Sequence, residues 1–173
     1  MKATEILMEE HRVIERVLTA METMTARVES GAPYRPGFFL DTADFIKGFA
    51  DGCHHKKEEG VLFKAIVANM PPLQGGPVSV MLAEHEQARK YTRAMSDAAQ
   101  KLIAGDSAAQ VSMLEAARGY TVLLRQHIAK EDTVLFPMSE RIIPPDQREQ
   151  LVTDFEYIEH TETGAGVHEK YEG

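Results

Sequence analysis

The chain has 173 residues, of which 43% are hydrophobic, and this fits one ordinary domain with a buried core. A formal net charge of −8 without a clustered basic stripe argues against nucleic acid and anionic membrane surfaces as partners. No apolar run approaches the ~18 residues of a membrane span, the N-terminus lacks an apolar signal segment, and the lone Cys53 cannot form an internal disulfide, so we expect a cytoplasmic protein.

The hydrophobic pattern predicts helices along nearly the whole chain, because apolar residues recur at spacings of three and four. The first helix is expected to end near residue 30, and the next three to span about 38–70, 78–104 and 108–140. Pro137 is expected to kink or end the fourth helix. Pro144 and Pro145 are expected to open a shorter fifth helix that ends near residue 161.

Four long helices with short connections predict an all-α fold, an up-down-up-down antiparallel four-helix bundle. We assign this bundle to residues 1–140. Residues 141–173 are expected to form a short C-terminal fifth helix and a tail, irregular from residue 164, that pack on the bundle or trail from it.

The chain also repeats its own sequence. Residues 54–63 match residues 127–136, 73 positions later, in the histidine, the first acid, the leucine and the phenylalanine. Upstream, the dipeptide Glu10-His11 matches Glu84-His85, 74 positions later. Each half therefore supplies one helix with a single histidine and one helix with a His-x-x-x-Glu pair. This pattern predicts two helix hairpins related by a pseudo-two-fold axis.

The repeated residues suit a buried metal centre. Positions i and i+4 share one helix face, so each His-x-x-x-Glu pair presents both side chains to the core. A buried carboxylate without a partner is very costly, and a cation removes that cost. Six donors are too many for one tetrahedral zinc, but they fit two irons, each with two histidines, bridged by the carboxylates and by an oxide or hydroxide. The predicted ligands are His11, His54, Glu58, His85, His127 and Glu131.

These six residues, with the sequences 59–63 and 132–137 that follow the two acids, resemble the hemerythrin-like (HHE cation-binding) family over roughly residues 4–140. The resemblance implies an antiparallel four-helix bundle around a non-haem di-iron site. The functions it implies range over oxygen binding, oxygen or redox sensing, peroxide or nitric oxide chemistry, and iron handling.

The chain departs from the oxygen-carrying hemerythrins at two points. Those proteins have a fifth histidine where this chain has Arg89, and their last carboxylate is an aspartate at the position of Asp132. The internal repeat favours Glu131 over Asp132, and the missing histidine argues against simple reversible oxygen carriage. Glu15, the repeat partner of Arg89, is a further carboxylate of the site, a partner of Arg89 or an ordinary surface residue.

Side chains beside the predicted ligands are given other roles. His55 follows His54 by about 100° of helix rotation, so we expect it to face another way and to lie beside the ligands or at the surface rather than to be a ligand. Glu59 and Asp132 are expected to lie beside the site rather than in it.

More distant residues are expected to be structural. We expect Cys53 and Tyr120 to pack in the core, and Lys56 and Lys57 to lie on the solvated surface. The last two histidines either fold over one end of the bundle and supplement the site or belong to a solvated tail. These are His160 and His168.

We expect a di-iron protein that binds or reacts with a small diatomic or peroxide ligand (O2, NO or peroxide) in redox or oxygen sensing or a stress response. The alternative is an iron-binding module for storage, delivery or repair of iron centres without turnover. Because no signalling segment is attached, a sensing role needs a separate protein partner, and a homodimer is left open.

Overall fold

The structure, a computed structural model, describes residues 1–162, with side chains to residue 160. Every regular element in this part of the chain is helical, which confirms the predicted all-α class. The predicted irregular tail, from residue 164, lies outside the described residues. So does His168.

Five helices account for most of the described chain, and their bounds lie within a few residues of the predicted ones. They are α1 (Ala3–Glu29), α2 (residues 37–69), α3 (Pro77–Ile103), α4 (residues 109–142) and α5 (residues 145–162). A short 3-10 helix, Pro71–Gly75, precedes α3. No helix in this part of the chain combines the length and the apolar composition that crossing a bilayer requires.

Helices α1 and α3 end in the same way. Gly31 and Gly105 follow them with φ angles of 80° and 104°, a left-handed conformation that glycine adopts without strain. The next N–H groups, of Ala32 and Asp106, donate hydrogen bonds back to the carbonyls of Arg27 and Lys101. These closures turn the chain directly from each helix into the following loop.

Helices α2 and α4 contain π-helical segments at the repeated motif. The segments Glu58–Leu62 and Glu131–Leu135 both begin at the glutamate of a His-x-x-x-Glu pair. In each, the following phenylalanine N–H, of Phe63 or Phe136, donates to the carbonyl of that glutamate, five residues earlier. The repeat thus extends to the backbone, and π-helical turns are common at functional sites.

The helix α4 continues through Pro137 to Ile142 instead of ending at the proline. Proline has no N–H to donate, but the π-helical turn immediately before it already departs from the α-helical hydrogen-bond pattern. A second, longer π-helical segment, Ile46–His55, lies in α2 and has no counterpart in α4.

Two apolar clusters form the core, on either side of a buried polar layer. Along α1, for example, Leu7 belongs to one cluster and Ile14 to the other, and His11 lies between them. Helix α1 packs against α2 and α4, and α3 packs against the same two helices. Leu151 and Phe155 of α5 join the cluster that contains Leu7. The division of the chain into domains at residue 140 stays a prediction.

Candidate metal centre

The structure brings the six predicted ligands together in the polar layer between the apolar clusters. Helices α1 and α3 each contribute one histidine, and α2 and α4 each contribute a His-x-x-x-Glu pair. None of the six side chains belongs to a residue more than 1% exposed. The six side chains are therefore shielded from bulk water.

Each glutamate lies between two imidazoles, one on its own helix and one on a neighbouring helix. The Glu58 carboxylate is 3.4 Å from His54 Nε2 and 3.0 Å from His85 Nε2. The Glu131 carboxylate is 3.2 Å from His127 Nε2 and 3.1 Å from His11 Nε2. Because each carboxylate reaches across to the other half of the repeat, the two halves share one site.

A second ring of carboxylates faces the outer nitrogens of the same four histidines. Each Nδ1 donates to one acid at 2.6–3.0 Å, which leaves Nε2, the inward nitrogen, free to ligate a metal. This ring repeats as the motif does, since each acid comes directly before or after a predicted ligand. The pairs are His11 with Asp132, His54 with Glu10, His85 with Glu59, and His127 with Glu84.

Cations lie on the outer side of these carboxylates. The ammonium groups of Lys57 and Lys130, which are 73 positions apart, donate to Glu10 and Glu84. Guanidinium groups complete the arrangement, with Arg89 on Glu59 and Arg12 on Asp132. Imidazole, carboxylate and cation thus follow one another outward from the centre at each of the four histidines.

The prediction for Lys57 is wrong. Its side chain is fully buried, and its ammonium lies 2.6 Å from Glu10 and 2.5 Å from Glu159 of α5. Burial alone would lower the pKa of Lys57, but the charge of these carboxylates outweighs it and raises that pKa. Lys57 occupies the gap between Glu10, Cys53 and Glu159, so this cluster already contains a cation.

Cys53 packs in the core, as predicted. Its side chain is fully buried, and burial raises the pKa of the thiol to about 12, because the thiolate would lose its hydration. A protonated thiol is a poor metal ligand.

His55 does not lie at the surface, which was one of the two roles expected for it. Its imidazole is 2% exposed and stacks on the ring of His85, with centroids 3.8 Å apart. Burial lowers the pKa of His55 to about 4, so the ring is neutral at pH 7. The prediction assumed an α-helical rotation between positions 54 and 55. The chain there is π-helical instead.

Other candidate residues lie away from the six predicted ligands. Glu15 pairs with Arg12 at 2.7 Å and is partly exposed. Arg89 binds Asp51 and Glu59 rather than Glu15. Tyr120 is buried, and His160 is exposed.

The sequence prediction assigned no role to the outer carboxylates Glu10 and Glu84. The sequence does carry a signal for them, because the glutamate recurs together with the histidine in the Glu-His dipeptide 74 positions later.

A metal ion suits the six predicted ligands better than protonation of their side chains alone does. Both oxygens of Glu58, one oxygen of Glu131 and Nε2 of His54 are buried without a hydrogen-bond partner among the described residues. Burial and the negative charge of Glu131 hold the pKa of Glu58 well above its usual range, because two adjacent buried carboxylates cannot both stay ionised. A metal ion would neutralise both and supply the missing partners.

The donor atoms form two groups, each compact enough for one ion. In each group the donors lie within 4.8 Å of one another. Glu58 belongs to both groups. The groups are His11, His54, Glu58 and Glu131, and His55, Glu58, His85 and His127.

Comparison with known proteins points to one family. The hemerythrin HHE cation binding domain matches residues 2–139. An uncharacterized protein of Mycobacterium bovis and uncharacterized proteins of two Mycobacterium tuberculosis strains are each 25% identical to the chain over 166 residues. These matches cover 94% of this chain and 63% of each relative, and no solved structure gives a significant match. The chain, with its repeated histidine and glutamate donors in one buried layer, therefore belongs to the hemerythrin HHE cation-binding family.

Proposed function

We propose that the buried layer holds two iron ions and that the protein binds or reacts with small oxidants such as O2, peroxide or NO. The observation that carries this proposal is the pair of donor groups that share Glu58, whose two oxygens are buried without another partner among the described residues. Members of the family bind cations, usually iron, and imidazole with carboxylate is a donor set that suits iron.

The residues around the donors support redox chemistry. Bound iron would supply the electron transfer. The side chains would bind and orient the reactants and would exclude water. The carboxylate on each Nδ1 fixes the tautomer and makes the imidazole a stronger donor. The outer cations hold those carboxylates in place, so the four histidines are positioned before any metal binds.

A cavity next to the donors supports a small ligand. It has a volume of about 310 Å³, lies between α2, α3 and α4, and is lined in part by the buried His55 and Tyr120. The Tyr120 hydroxyl is buried without a hydrogen-bond partner in the described part of the chain. Asp51 and Arg89, which also line the cavity, make it polar. The cavity therefore offers a polar space beside His55, large enough to admit a small ligand.

The deep burial of the donors favours this function over iron delivery. An iron donor must present its metal to an acceptor, whereas every proposed ligand here is at most 1% exposed.

We also propose that the four long helices run up-down-up-down. Support comes from the short connections at residues 30–36, 70–76 and 104–108 and from the packing of each helix against two neighbours.

Reconstitution with iron tests the proposed function. We expect purified protein loaded anaerobically with Fe(II) to bind two ions per chain, because two donor groups are present. Addition of O2, peroxide or NO should then change the optical spectrum within seconds to minutes. Iron should pass to a strong chelator more slowly than it reacts with the added O2, peroxide or NO. A preparation that binds one zinc per chain, or that releases iron faster than it reacts, would contradict the proposal.

Metal removal is expected to lower thermal stability. A ligand that binds only the folded state at 100 times its Kd adds about 2.7 kcal/mol, or roughly 5–10 °C for a chain of this length. We would compare the melting midpoints of metal-free and Fe(II)-loaded protein under anaerobic conditions, with Mg2+ as a control ion. Equal midpoints with and without iron would show that the buried histidines and glutamates are not ligands.

A further inference from the structure

We infer that His55 is a fifth histidine of the metal centre and gives a third imidazole to the ion held by His85 and His127. This inference rests on the proposal that the layer holds two ions. It assigns the two ions unequal donors, three histidines for one and two for the other.

The position of His55 carries the inference. Its donor atom lies within 4.8 Å of those of Glu58, His85 and His127. Its ring lies next to those of His85 and His127, with centroids 3.8 Å and 6.0 Å apart. Because each nitrogen lone pair lies in its ring plane, the ring of His55 must tilt out of its 15° stack on His85 for both to ligate one ion. The Nε2 atom of His55 is buried with no hydrogen-bond partner within the described residues, as is Nε2 of His54. A metal ion would satisfy this nitrogen in the same way as the others.

The outer side of His55 has the same order of groups as that of the four predicted histidine ligands. Nδ1 faces Asp51 Oδ1 at 3.4 Å, and Arg89 donates to that oxygen at 2.8 Å. Arg89 also donates to Glu59, which accepts from His85. Histidine ligands typically donate their other nitrogen to a carboxylate, and one guanidinium here supports two such pairs. His55 is thus held like a ligand, next to His85.

The backbone of α2 explains how adjacent histidines both reach the centre. The π-helical segment Ile46–His55 ends at this residue. It requires Gly52, since a Cβ at this position would lie 2.8 Å from the carbonyl oxygen of Lys47. The matching positions in α4 are Arg125 and Ile128, in a segment that is α-helical. The glycine, the π-helical segment and the extra histidine therefore occur together in one half of the repeat.

Proton NMR of the Co(II)-loaded protein tests the inference. A proton on Nδ1 of a histidine bound to a paramagnetic ion is shifted far outside the normal range and exchanges with solvent. We expect five such resonances in the wild-type protein with two Co(II) ions bound, and four in His55→Gln. The exposed His160 provides a matched control, and His160→Gln should keep all five.

A second variant keeps the test informative if His55→Gln folds poorly. Asp51→Asn retains the imidazole but changes its outer partner, so it should move one of the five resonances and leave the number unchanged. Four resonances in the wild-type protein, all present in His55→Gln, would overturn the assignment of His55 while leaving a two-ion centre. Failure to bind two Co(II) ions at all would instead refute the proposed function.

Discussion

Replacing Glu131 with alanine is expected to abolish the proposed two-ion centre, whereas the same change at Asp132 should leave two ions bound. The Glu131 carboxylate is fully buried and lies between His11 and His127 at 3.1 and 3.2 Å. Asp132 instead faces the outer nitrogen of His11 and the guanidinium of Arg12. Loss of an outer carboxylate typically lowers metal affinity about 10–100-fold, and loss of a bridging ligand should lower it further.

The measurement is iron content after equilibration with limiting Fe(II), with the absorption of the coupled pair as a second readout. Glu131→Ala should retain at most one weakly bound ion and lose the absorption of the coupled pair, while Asp132→Ala should keep both features. The repeat provides a matched control, because Glu58→Ala and Glu59→Ala should behave in the same two ways. An empty site in Asp132→Ala, together with a filled one in Glu131→Ala, would show that the internal repeat does not identify the bridging residue.

The helices and the grouping of the six predicted ligands in one buried layer could be predicted from the sequence, because both depend on spacing. Apolar periodicity and the prolines and glycines between helices gave bounds within a few residues. The 73-residue repeat singled out the glutamates that lie between two imidazoles. Glu58 and Glu131 lie in different helices, and their donor atoms come within 4.8 Å of each other, as the single offset between them predicted.

The rest depended on a backbone feature that spacing does not reveal. A helical wheel with 3.6 residues per turn turns His55 away from His54, but the π-helical segment keeps both rings buried near the centre. A lysine is rarely fully buried without partners, so the surface is the default expectation for Lys57. Its partners are Glu10 on α1 and Glu159 on α5, and only the tertiary arrangement places them together.

The buried Lys57 should stabilise the fold far more than its repeat partner Lys130 does. Both lysines donate to the glutamate before a histidine of the centre. Lys57 is fully buried with Glu10, which is 1% exposed, whereas 44% of the Lys130 side chain is exposed to solvent. Removal of one member of a buried ion pair typically costs about 3–5 kcal/mol, and an exposed pair is worth about 0–1 kcal/mol.

We therefore expect Lys57→Met to lower the free energy of unfolding of the metal-free protein by about 3–5 kcal/mol, and Lys130→Met by less than about 1 kcal/mol. Urea unfolding followed by circular dichroism would measure both. Combining Lys57→Met with Glu10→Gln should recover part of the loss, because a neutral amide tolerates burial better than a carboxylate deprived of its nearby positive charge. Equal losses in the two single variants would mean that solvent reaches Lys57. No recovery in the double variant would contradict the role of the charge on Glu10 and would point to the ammonium over the Phe155 ring, whose centre is 5.8 Å away.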